Sequence, residues 1–71
     1  MTEPLLPSAD EVFTMTIWQL REEVARTGGA PLATRRRYNE LRVAWRFIDP
    51  SYELVVRRAW THVRAERWRW R

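Results

Sequence analysis

The stretch Asp49-Pro-Ser-Tyr-Glu-Leu-Val-Val-Arg-Arg-Ala-Trp-Thr-His-Val63, continued by Arg64-Ala-Glu-Arg-Trp-Arg-Trp-Arg71, decides how the chain is read. Asp49 suits an N-cap and Pro50 the first helical position, where a missing N–H costs nothing. Wound at about 100° per residue, Tyr52, Val55, Val56, Ala59, Trp60 and Val63 form one broad apolar stripe. Glu66 and Arg67 fall on that stripe and Trp68 points away from it, so a packed helix is expected over about 50–63. Residues 64–71 then read as a basic aromatic arm that leaves the body to meet something else.

Working upstream, Thr34 reads as the cap of a helix over about 35–48 whose core face is Tyr38, Leu41, Ala44, Trp45 and Ile48. Arg35, Asn39, Arg42 and Arg46 recur at i, i+4, i+7 and i+11 along a second side. Arg36, Val43 and Phe47 fall on the back, where the apolar pair could cover a partner or a second copy. The residue before a proline is pushed out of helical geometry, so Asp49-Pro50 makes a tight turn and a close pair of helices.

A first helix is expected over about 10–27, capped by Ser8 or Asp10, with Asp10 and Glu11 suited to its positive end. Phe13, Ile17, Leu20 and Val24 form its stripe. Thr16-Ile-Trp-Gln19 offers a competing start that would make Phe13 to Ile17 an extended lead-in; the longer stripe favours the longer helix. Gly28-Gly29 ends it, and Ala30-Pro31 extends the break into a looser connection. Residues 1–8, with Pro4 and Pro7, read as an extended N-terminal arm whose Leu5 and Leu6 could tuck onto the body or a partner. The expected architecture is all-α. It is a small three-helix bundle, or a helical hairpin plus an N-terminal helix, over residues 9–63, flanked by arms 1–8 and 64–71.

Seventy-one residues make one domain at most, near the size where a single core only just suffices. With 45% hydrophobic residues and five Trp the chain has the material to fold, and that balance favours a homodimer or a subunit of a larger assembly. No cysteine is present, so disulfides and thiolate metal sites are out. No run approaches the roughly 18 apolar residues of a membrane span and no signal-like segment opens the chain, so a cytoplasmic protein is expected.

Charge is divided unevenly. Residues 1–30 carry two arginines against five carboxylates, net −3, and residues 31–71 carry eleven arginines against four, net +7. That polarity points to a polyanion or an acidic protein surface as partner. All thirteen basic residues are Arg, which forks phosphate oxygens bidentately. Codon composition alone can produce the same bias, so it weighs little.

Catalysis is poorly served. His62 is the one histidine, Ser8 and Ser51 sit at cap positions, and Glu22 and Glu23 diverge on a helix. No ligand spacing for a metal appears. A non-enzymatic protein without cofactor, metal or small-molecule substrate is expected, with His62 an interfacial core residue.

The residues expected to carry function are Arg35, Arg36, Asn39, Arg42 and Arg46 on the second helix, with Arg64, Arg67, Trp68, Arg69, Trp70 and Arg71 in the arm. Arg36 and Arg37 oppose the helix dipole at that helix's start, which favours an external anion, while Glu40 can pair with Arg36. Guanidinium groups suit phosphates and Asn a base edge, and alternating Trp can stack on bases. Nucleic acid is therefore the expected partner. The arm also resembles cationic antimicrobial peptides over five residues, but a membrane surface is the least favoured partner. The alternative is a structural subunit using Trp and Arg as anchors in a protein assembly.

Thr16-Ile-Trp-Gln-Leu-Arg-Glu-Glu-Val-Ala-Arg-Thr-Gly28, followed by Ala30-Pro31 and Tyr38-Asn-Glu-Leu41, resembles SAP-type nucleic-acid-binding modules. The resemblance spans about twenty-six residues. It implies a helix, an extended loop and a second helix, with Arg37 near the module's basic position.

Overall fold

The computed structural model describes residues 5–66, and these form a three-helix bundle: α1 Ala9–Thr27, α2 Pro31–Ile48 and α3 Ser51–Ala65. Each boundary has a local cause. Ser8 caps α1 in a full capping box: its hydroxyl accepts from the Glu11 N–H at 3.1 Å, and the Glu11 carboxylate accepts from the Ser8 N–H at 3.3 Å. Thr16, the competing start, is instead buried in the middle of α1. At the other end Gly28 takes the left-handed conformation, φ 67°, and Gly29 donates its N–H to the Val24 carbonyl at 2.9 Å. A side chain at Gly28 would strain that cap.

The connection that follows is shorter than expected. Pro31 begins α2 rather than prolonging the break, because a proline fits the first turn as well as it ends a helix. Thr34 is therefore not a cap. It lies one turn inside α2, fully buried, and its hydroxyl donates to the Ala30 carbonyl at 3.0 Å. Three residues separate α1 from α2, which leaves no extended loop of the kind the SAP resemblance implies.

At the second turn Pro50 already has helical angles, φ −55° and ψ −29°. The Asp49 carboxylate accepts from both the N–H and the hydroxyl of Ser51 at 2.9 Å. Asp49 thus bonds the first residue of α3 from one place further out than expected, since Pro50 rather than Asp49 is the cap, and these bonds, the backbone one foremost, hold its carboxyl below the ordinary carboxylate range. A group whose folded pKa is depressed stabilises above its unfolded value and loses that contribution as pH falls. Thermal melts should show Asp49→Ala less stable than the parent at neutral pH, with the gap closing as pH drops below about 4. A gap constant across that range would contradict the assignment.

The core lies mainly between α1 and α3. Val12, Ile17, Leu20 and Val24 of α1 meet Tyr52, Val55, Val56, Ala59 and Val63 of α3, and α2 adds Leu41 as its buried apolar side chain. The α3 stripe is as read from sequence, with Trp60 partly buried at its edge. On α1, Ile17, Leu20 and Val24 are buried as expected, and only the first turn departs from the row, with Val12 fully buried and Phe13 partly. On α2, Tyr38 and Trp45 pack against the core, whereas Ala44 and Ile48 are exposed. The helix is rolled toward α3, where Tyr38 stacks on Trp60 and Trp45 meets Tyr52 edge-on at 5.5 Å. The Tyr52 hydroxyl donates to the Pro7 carbonyl and so ties the N-terminal segment to α3, while Leu5 and Leu6 stay exposed rather than tucked in. No helix among the described residues is long and apolar enough to cross a membrane.

Candidate nucleic-acid interface

Short turns make the helices antiparallel, so the first turns of α2 lie beside the last turns of α3. Pro31, Arg35 and Asn39 from α2 meet Arg64 from α3 around an open cleft of about 590 Å³ that Tyr38 and Trp60 also line. The two rings stack at 4.8 Å with 12° between their planes, and the Arg64 guanidinium lies 5.7 Å from the centre of the indole. Tyr38 therefore occupies one indole face and Trp60 is not free to intercalate. The stack fixes α2 on α3 and seats Arg64 beside Arg35.

The expected row divides by function. Arg35 and Arg36 are exposed, and among the described residues neither pairs with a carboxylate. Arg64 is likewise exposed and without a carboxylate partner there. Arg42 is half-buried and donates to Glu53 of α3 at 2.6 Å, so its charge is largely engaged in holding the two helices together. Arg46 stays 59% exposed with its guanidinium 4.0 Å from the same carboxylate. Glu40 pairs with Arg37 at 3.3 Å rather than with Arg36, which leaves Arg36 unneutralised. Asn39 is exposed between these groups.

No carboxylate of the acidic first thirty residues is paired with an arginine of the basic half among the described residues. Glu23 pairs with Arg26 one turn on along α1, and the one ion pair that crosses between the halves among the described residues runs the other way, from Arg21 to Glu66. There the Arg21 Nε lies 3.1 Å from each carboxylate oxygen, a hydrogen-bonded pairing that raises the Arg21 pKa. It pins the end of α3 to α1.

Comparison of the chain with protein-family models, with curated proteins and with solved structures finds no match. The functional reading therefore rests on the residues themselves.

Two sets of residues escaped the sequence reading. Tyr38 and Trp60 appeared only as core stripe, although tyrosine and tryptophan at a stripe's edge keep a polar rim toward solvent. Arg57 and Arg58 are exposed on α3, and neither pairs with a carboxylate among the described residues. Arg57 lies four residues after Glu53 and seven before Arg64, a spacing that extends the basic row along α3 and was available in the sequence. Arg58 stands apart, 5.7 Å from the Phe13 ring. His62 is exposed rather than part of the core, although its ring meets Phe13 of α1 edge-on at 5.8 Å. Arg67, Trp68, Arg69, Trp70 and Arg71 lie outside the described residues.

Proposed function

We propose that the protein binds nucleic acid as a small non-enzymatic accessory or regulatory factor, through the face shared by α2 and α3. The observation that carries this reading is the meeting of Arg35 and Arg64 at one end of the bundle, with Arg36 next to Arg35 on the back of α2, none of them paired with a carboxylate among the described residues. Like charges left unpaired at close quarters raise the local potential and attract a polyanion. Phosphates would lie along Arg35, Arg36 and Arg64, with Asn39 beside them as a hydrogen-bonding group and Arg46 and Arg57 extending the track. The chain continues past Glu66 from this same end, so Arg67, Arg69 and Arg71 would add phosphate contacts and Trp68 and Trp70 would stack on bases or sugars. Arg42 has a smaller part than its place in the row suggests, since Glu53 already neutralises it.

The test is a titration of nuclease-treated protein against labelled duplex and single-stranded oligonucleotides at low ionic strength. Binding to at least one form is expected; stronger binding to single strands would favour stacking by the arm, and stronger binding to duplex would favour the helical face. No binding to either form would overturn the proposal.

A further inference from the structure

The face of α2 opposite the core carries three exposed apolar side chains among polar ones. Leu32 is 80% exposed, Val43 55% and Phe47 92%, and with Arg36 they run along the back of the helix from its first turn to its last. Asn39 and Glu40 flank the middle of this strip. Exposed apolar side chains scattered singly need no explanation, but Leu32, Val43 and Phe47 share one side of α2 from its first turn to its last, a placement that suits the seam of a helix pair.

We infer that this face docks a second copy of the chain, with α2 antiparallel to α2 of its partner, and that the pairing merges the two basic faces into one. The seam is complementary to itself. An antiparallel two-fold that sets Leu32 against the partner's Phe47 also sets Arg36 against the partner's Val43 and Asn39 against the partner's Glu40. Both apolar ends are then covered, and the aliphatic stem of Arg36 packs on the valine. The Arg36 guanidinium is brought within a turn of the partner's Glu40, the one acid on α2, and symmetry makes that contact twice. Arg36 has no carboxylate partner in the single chain among the described residues, and the partner's Glu40, bound by its own Arg37 at 3.3 Å yet still 57% exposed, has room to accept it as a second cation. A lipid surface fits less well, because it would receive Arg36 and Glu40 in the middle of the apolar strip with nothing to pair them.

The same symmetry places the arginines. A two-fold perpendicular to the plane of two antiparallel helices turns the same flank of each toward the same side. Arg35, Asn39, Arg42 and Arg46 share one flank of α2, the flank that faces α3, as the cleft with Arg64 and the contacts to Glu53 require. The paired molecule therefore presents both basic flanks on one face, each with Arg35 and Arg64, while Arg36 leaves the phosphate track of the single chain and joins the seam. Without a polyanion those flanks repel, so added salt should strengthen association even as it weakens nucleic-acid binding. The value of the merged face rests on the proposed function; the association itself does not.

The chain has no cysteine, so introduced ones report geometry cleanly. Leu32→Cys and Phe47→Cys proteins, freed of nucleic acid, should form a disulfide-linked dimer when mixed under mild oxidation and little when oxidised separately. Sedimentation of the parent chain from about 1 μM to about 1 mM should show mass rising from one chain toward two. Val43→Glu should raise the dissociation constant by about tenfold or more, its circular dichroism unchanged. Arg36→Glu should weaken association, and adding Glu40→Arg to it should restore it. A parent chain monomeric across that range, or cross-links as strong in either cysteine protein alone as in the mixture, would overturn the inference. Because no nucleic acid is present, these outcomes leave the proposed function separately testable.

Discussion

Leu20→Ala is expected to melt more than about 10 °C below the parent chain and to leave a substantial unfolded fraction near physiological temperature. Leu20 is fully buried at the heart of the α1–α3 contact, and it is the largest fully buried side chain among the described residues. Leucine truncations at such sites cost about 3 kcal/mol, from lost transfer energy and the cavity left behind. A chain of this size has a total stability of only about 4–10 kcal/mol. One methylene-rich side chain is thus a large share of the whole. Phe47→Ala removes a larger side chain from the surface of α2 and should change stability by no more than about 0.5 kcal/mol at concentrations where the chain is monomeric. Far-UV circular dichroism melts of the two variants make the comparison, and equal destabilisation would show that the core is misplaced.

The second large effect concerns binding. Changing Arg35, Arg36 and Arg64 together to alanine removes three exposed guanidinium groups whose loss breaks no ion pair among the described residues. The fold should survive, with at most a modest loss where Arg64 covers Trp60. At roughly 1 kcal/mol per lost phosphate contact, the triple variant should bind nucleic acid on the order of 100-fold more weakly. Arg26→Ala and Arg58→Ala serve as the control, since Arg26 pairs with Glu23 on α1 and Arg58 lies by Phe13. If the pair lowered affinity as much as the triple, binding would reflect net charge rather than the proposed face. The measurement is fluorescence anisotropy at one fixed low salt concentration.

What the sequence disclosed follows from how far each signal reaches along the chain. The α3 stripe was legible because every inward position from Tyr52 to Val63 is apolar or aromatic, so no other rotation of the helix competes. The cap of α1 was narrowed only to Ser8 or Asp10; the glutamate three residues after Ser8, which completes the capping box, was the local signal that decides for Ser8. Val12 and Phe13 are adjacent and both apolar, and only packing against α3 chooses Val12 for full burial. The start of α2 was misplaced because proline both ends helices and opens them, and nothing within a few residues of Pro31 says which. The arginine row on α2 was correctly seen as a row, yet its division was not. Glu53 lies eleven residues from Arg42 and seven from Arg46, across a turn, and only the folded pair of helices brings it under both.

The central claim is that guanidinium groups left unpaired on the α2–α3 face hold phosphates. It is tested most directly by the salt dependence of the parent chain's nucleic-acid affinity. At concentrations where the chain is monomeric, Arg35, Arg36 and Arg64 alone should give a log–log slope of about −2.7 on duplex, at close to 0.9 per phosphate neutralised, and contacts from the last five residues would steepen it. Affinity that stays flat as salt is raised would mean that these arginines are not holding phosphates.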